Sequence, residues 1–137
     1  MRLNFTISEL LHSDVANSNK INNIPTRPYV YDNLLNLIFY VLQPLRDSFG
    51  VIYVNSGYRC QKLNELVRGS NTSRHLDGMA ADIYANNASL KELYNFITTR
   101  LDYDECFIET NKSGVKWLHV AYCHGNNRRK HNSNYLA

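Results

Sequence analysis

Two short runs with a period of two residues constrain this chain more than any other feature, because each carries one metal-ligating side chain among small and apolar neighbours. Met79 to Ala85 suits a strand in which Ala80, Asp82 and Tyr84 share one face while Ala81 and Ile83 share the other. Val115 to Tyr122 alternates in the same way, with Trp117, His119 and Ala121 on one face and Leu118, Val120 and Tyr122 on the opposite one. If both strands lie in one sheet with their aliphatic faces together, Asp82 and His119 emerge on the same side. His75 precedes the first run in a polar segment that reads as a loop, and Gly78 lets that loop fold back toward them at little steric cost.

These three side chains form a ligand set. Two imidazoles and a carboxylate meet the requirement of a catalytic zinc site, which takes three protein ligands and keeps a fourth position for water, whose pKa falls to roughly 7 when bound. We therefore expect His75, Asp82 and His119 to hold Zn²⁺. His12, His124 and His131 read as structural or surface histidines. Asp77 competes with Asp82 within the same segment, but it falls in the loop and reads as a cap or a solvated carboxylate. Cys60, Cys106 and Cys123 are odd in number and lack the paired spacing of a structural zinc knot, so they read as reduced, buried small hydrophobes. The Cys123-His124 pair follows the second strand by one residue and reads as closing the sheet.

The wider pattern resembles a known family. Ser73-x-His75-x-x-Gly78-x-Ala80-x-Asp82, with Ser56-Gly57-Tyr58-Arg59 upstream and Trp117-x-His119 downstream, is similar to the zinc peptidases of the M15 group. That group includes D-Ala-D-Ala carboxypeptidases and phage L-alanyl-D-glutamate endolysins. Phe5 to Leu11 and Asn64 to Asn71 also resemble its small branch, and the likeness spans roughly residues 5 to 122. It implies a small sheet backed by helices, as in hedgehog and DD-peptidase domains, with zinc on the open face. It also implies that Arg59 holds a carboxylate or carbonyl of a peptide substrate, a role that suits a planar bidentate donor; a structural salt bridge is the alternative. Ser73 reads equally as a hydrogen-bond partner of ligand or substrate and as a turn-stabilising hydroxyl. Trp117 reads as a cleft wall, as packing beside the metal, or as both.

The general base departs from the pattern. In many of these enzymes an acid stands three residues before the last ligand histidine, and here that position is Lys116, which when protonated cannot accept a proton. Cys106 to Thr110 and Val115 to Tyr122 flank Asn111-Lys112-Ser113-Gly114, a hairpin turn. Ile108 belongs with Leu118 and Val120, which puts Phe107 and Glu109 on the face of Trp117 and His119. Glu109 is therefore the expected base, its alternative being a solvated hairpin carboxylate. Glu105 and Asp104 lie further from the turn and are less favoured.

The remaining elements frame this site. Thr6 or Ser8 caps a helix from Ile7 to His12, and Asp14 to Pro28 reads as a loop. A long helix starts near Val30, with Leu34, Leu37, Ile38, Val41, Leu42 and Leu45 at helical spacing, and ends at Phe49-Gly50. Pro44 should kink it or split off its last turn. Val51 to Ser56 is strand-like, Gln61 to Val67 helical, and Ser89 caps a helix to about Leu101. Helices segregated from paired strands argue for an α+β fold with a largely antiparallel sheet.

With 137 residues, 44% of them hydrophobic and 20% charged, the chain suits one compact domain over residues 1–123, followed by a polar, basic tail at 124–137. In that tail, Arg128-Arg129-Lys130-His131 reads as a solvated end rather than a nucleic-acid site. A net charge of +3 is too mild to choose among cell wall, nucleic acid and membrane as an anionic partner. No aromatic and basic stripe marks a nucleic-acid surface, and no run approaches the ~20 apolar residues of a membrane span. The first residues lack a signal-peptide pattern, so we expect synthesis in a cytoplasm, action on the wall after release or lysis, and a phage or prophage source. The expected function is zinc-dependent hydrolysis of peptidoglycan stem peptides by a monomer, as carboxypeptidase or endopeptidase. A non-catalytic wall-binding or virion module that keeps the metal site is the alternative.

Overall fold

The computed structural model describes residues 2–132. Its first helix, α1 (Ile7–Leu11), is capped by Thr6, whose hydroxyl oxygen accepts the Glu9 N–H at 3.1 Å. The stretch expected to be a loop contains a second helical turn, α2 (Asp14–Ser18), which Ser13 caps by accepting the Ala16 N–H at 3.1 Å. Ala16 is its single buried residue, so no apolar periodicity betrays it.

The long helix forms as three consecutive pieces: α3 (Tyr29–Leu37), a π-helical turn (Ile38–Leu42) and α4 (Gln43–Phe49). Proline has no N–H, and its ring excludes the carbonyl four residues back in a regular α-helix. The wider turn resolves this conflict, with the Gln43 N–H reaching back five residues to the Ile38 carbonyl just ahead of Pro44. The helix therefore runs on past Pro44 instead of losing its last turn.

The other elements are β1 (Ile52–Ser56), α5 (Gln61–Leu66), a 3₁₀ turn (Arg74–Asp77), β2 (Ala80–Ala85), α6 (Leu90–Arg100), β3 (Glu105–Thr110), β4 (Lys116–Ala121) and β5 (Lys130–His131). Ser89 and Glu92 form a full capping box at the start of α6. The strands make one sheet in the order β1-β2-β4-β3-β5, antiparallel except for β5 beside β3, so the fold is α+β as expected. Asp82 pairs with His119, Phe107 with His119 and Glu109 with Trp117, which is the register expected from alternation.

One sheet face is a core wall. Ala81, Ile83, Cys106, Ile108, Leu118 and Val120 pack there against Leu34, Leu37, Ile38, Val41 and Leu42 of the long helix and Leu93, Tyr94 and Ile97 of α6. The opposite face carries Asp82, His119, Glu105, Phe107 and Glu109. A bulge in β1 between Val54 and Ser56 brings Ser56 opposite Asp82 and leads the chain into Gly57.

Gly57 joins two layers. The Tyr58 N–H donates to the Leu10 carbonyl at the end of α1 at 2.9 Å, and a Cβ on Gly57 would lie 2.2 Å from that same oxygen. No side chain fits there without separating α1 from the sheet. Gly57→Ala is expected to destabilise the protein by about 1–3 kcal/mol, read as a lowered urea midpoint; an unchanged midpoint would show that α1 yields freely.

The C-terminal segment is exposed, as its composition suggests, but tied down. Residues 124–132 are largely exposed, yet they are not a free tail, because Lys130 and His131 pair with Glu105 and Cys106 as β5 and Arg128 is tied to Asp104. The side chain of Asn132 holds both the N–H and the carbonyl of Ile108. Residues 133–137 of the expected tail lie outside the described residues.

Candidate metal centre

Three elements deliver the expected ligands to one point. His75 comes from the 3₁₀ turn, Asp82 from β2 and His119 from β4; all three are buried, and their ligand atoms lie within 4.8 Å of one another. Asp82 Oδ1 stands 3.3 Å from His75 Nε2 and 3.1 Å from His119 Nδ1. Among the described residues no other group of His, Cys, Asp and Glu converges in this way. His12 pairs with Asp14, His124 with Tyr122 and His131 with Tyr103, all outside the cluster. Asp77 accepts from Tyr29 and Arg27 and also lies away from it.

The turn that bears His75 is built by local rules. Ser73 caps it by accepting the His75 N–H at 3.2 Å, the turn-stabilising role. Gly78 ends it in the left-handed region at φ 75°, where an added Cβ would also meet the Val30 carbonyl at 2.8 Å.

A hydrogen bond behind His75 fixes its tautomer, and one behind His119 favours the matching one once a metal replaces the inner proton. His75 Nδ1 lies 2.7 Å from the Gly57 carbonyl, which can only accept, so the proton sits on Nδ1 and the Nε2 lone pair faces Asp82. His119 Nε2 lies 2.8 Å from Glu105 Oε1, and a proton donated there leaves the Nδ1 lone pair facing Asp82. Two lone pairs and a carboxylate oxygen meeting at these distances repel one another unless a proton or a cation sits among them. The donor set fits a metal.

The electrostatics say the same. Burial alone would raise the pKa of Asp82, but His75 and His119 reverse it and hold the carboxyl well below its usual range. Burial would lower the pKa of His119, but Asp82 and Glu105 raise it to about 9. Without metal, the imidazolium so favoured contributes stability that is full below pH 6.5, the ordinary value, and is lost as pH rises through about 9. A metal must displace that proton, so its affinity should rise over the same interval. Metal-free melting temperatures that fall from pH 6.5 to 9, with metal affinity that climbs, are the expected result; a flat metal affinity would contradict it.

A cleft of about 400 Å³ opens over the cluster, lined also by Arg59, Glu105, Phe107, Glu109 and Trp117. A cavity of about 650 Å³ lies across Thr72, Ser73 and Arg74, but it contains none of the three ligands, so the chemistry belongs to the smaller space. Glu109 Oε1 is 4.0 Å from His119 Nδ1 and accepts the Trp117 indole N–H at 3.1 Å. Trp117 therefore both walls the cleft and orients this carboxylate. Phe107 stacks on His119 with ring centroids 5.8 Å apart. Lys116 is exposed, alternates onto the side of Leu118 and does not line the cleft.

Arg59 is engaged on all three nitrogens: NH2 donates to Asp82 Oδ2 at 3.3 Å, Nε to Ser56 Oγ at 3.1 Å and NH1 to Asn64 Oδ1 at 3.3 Å. It forms the salt bridge of the structural alternative and also lines the cleft. Glu105, less favoured from sequence, touches a ligand directly. Alternation from Glu109 through Phe107 to Glu105 was the signal for it, because that pattern places all three on the face of His119. The cysteines are free; Cys106 is fully buried and its thiol is pushed up to about 12 by that burial, whereas Cys60 and Cys123 are only partly buried.

This geometry is matched by kinship. A family model described as peptidase M15 matches residues 3–121. The chain belongs to the peptidase M15 family. No curated protein sequence matches it. Family membership supports a peptidase, and the buried cluster gives this peptidase M15 domain a place to bind a metal.

Proposed function

We propose that this chain is a zinc peptidase that hydrolyses stem peptides of peptidoglycan, with His75, Asp82 and His119 as the metal ligands. The observation that carries the reading is the buried His-Asp-His cluster with a carboxylate, Glu109, 4.0 Å from one ligand atom and open to the same cleft. Two neutral imidazoles and one carboxylate suit Zn²⁺ by ligand type and number. When bound, zinc supplies Lewis-acid polarisation of a carbonyl and acidifies water.

The chain's own residues supply the rest. Glu109 takes a proton from the attacking water and passes it to the departing amine nitrogen, held in position by the Trp117 indole. Arg59 orients Asp82 from behind and presents its guanidinium to substrate oxygen at the cleft wall. Phe107 and Trp117 give the cleft apolar walls that limit water around the reacting amide. The substrate class follows from the resemblance to D-Ala-D-Ala carboxypeptidases and phage endolysins. We take the enzyme to work as a monomer on the wall after its release from the cell that makes it.

The non-catalytic alternative drew on Lys116, which lies outside the cleft; Glu109 lines it, and that supports our choice of Glu109 as the base. Defined muropeptides incubated with the protein and analysed by mass spectrometry test the proposal. Loss of a terminal D-alanine marks a carboxypeptidase and an internal cut marks an endopeptidase; intact muropeptides would leave only the binding module.

A further inference from the structure

Behind the cleft, the segment after the last long strand reaches the candidate metal centre through one side chain. Arg128 NH2 donates to Glu105 Oε2 at 3.0 Å, and the other oxygen of Glu105 accepts from His119 Nε2 at 2.8 Å. Arg128 also donates through Nε and NH2 to the two oxygens of Asp104, at 2.9 and 2.7 Å, and its backbone N–H adds a third bond at 3.1 Å. Asp104 is fully buried and takes a further bond from Arg74 Nε at 2.9 Å, next in sequence to His75. One guanidinium thus joins two adjacent carboxylates, one leading to each ligand histidine. Position 128 lies beyond residues 3–121, which match the family.

We propose that Glu105 and Arg128 form a positioning relay that sets metal affinity, with Glu105 holding His119 as an Nδ1 ligand and Arg128 holding Glu105. The inference rests on the metal reading above and deepens it. A carboxylate that accepts the outer N–H of a ligand imidazole fixes its tautomer, restrains its ring and makes the inner nitrogen a stronger donor; loss of such a partner typically costs about 10–100-fold in affinity. Glu105 is free to rotate unless its second oxygen is held, and Arg128 is the guanidinium that holds it. The C-terminal segment is therefore part of the metal centre. Arg129, its neighbour, turns to the Leu101 and Thr98 carbonyls and to Asp102, with no path to Glu105.

Zn²⁺ affinity measured by competition with a chromophoric chelator decides the matter, together with the visible absorption of the Co²⁺ form. The expected result is a 10–100-fold weaker Zn²⁺ affinity for Glu105→Ala and a similar direction for Arg128→Ala. Glu105→Gln, which keeps an acceptor, and Arg128→Lys, which keeps the charge, should recover part of the loss. The Glu105→Ala, Arg128→Ala double variant should be no weaker than Glu105→Ala alone, because the two residues act in series. The Co²⁺ spectrum should shift in Glu105→Ala, whereas Arg129→Ala should match the wild type in affinity and spectrum. Glu105→Ala with wild-type affinity and spectrum would overturn the relay while leaving the metal reading intact. Arg128→Ala no weaker than Arg129→Ala would overturn the role of Arg128. A wild-type protein that takes up no divalent metal would overturn both the relay and the reading beneath it.

Discussion

Glu109→Gln is expected to keep the fold and the metal while lowering turnover by roughly 10²–10⁴-fold, the usual range for general acid–base catalysis. The amide is nearly isosteric and can still accept the Trp117 indole N–H, so the cleft wall should survive, but it cannot take a proton from water. Lys116→Ala should change turnover little, because Lys116 is exposed and absent from the cleft lining. Steady-state rates on a cleaved muropeptide, with metal content measured in parallel, separate the two. A fully active Glu109→Gln protein would assign the base elsewhere.

Replacing any one of His75, Asp82 or His119 by Ala should have the largest effect, reducing metal from about one ion per chain to a small fraction and abolishing turnover with it. Each supplies a third of the protein's donors, and with one gone only two of the three buried donors still converge. The folded His119→Ala and Asp82→Ala proteins should also lose the fall in metal-free stability between pH 6.5 and 9 that these two residues create together. Elemental analysis after gel filtration reads the outcome. Stoichiometric metal in His119→Ala would remove the central ligand from the account.

The site was legible in the sequence wherever alternation along a strand carried the information. Strands of period two fix which side chains share a face, so the positions of Asp82, His119, Phe107 and Glu109 follow once Ala81, Ile83, Ile108, Leu118 and Val120 are assigned to the core. Capping residues marked α1 and α6 for a similarly local reason. What escaped carried no apolar periodicity or was decided by distant partners. α2 has a single buried residue and owes its place to the Ser13 cap and to the Ile21 N–H, which donates to the Ala16 carbonyl at 2.8 Å. The C-terminal segment looks like a solvated tail by composition, and only the fully buried Asp104 shows why its arginine is held. Glu105 lay within reach of the same alternation argument as Glu109, but its distance from the hairpin turn outweighed its face. The π turn likewise depends on how the chain accommodates Pro44 after Tyr40, a backbone conflict that sequence signals without naming its solution.

If this peptidase M15 chain cuts peptides with a metal held by His75, Asp82 and His119, cleavage must follow metal occupancy. The most direct test is to strip the protein with a chelator, add Zn²⁺ back in measured amounts and follow cleavage of a defined muropeptide. The stripped protein should cleave nothing, and activity should recover linearly to a plateau at about one Zn²⁺ per chain. Cleavage that persists without metal, or a fully loaded protein that cuts nothing, would contradict this.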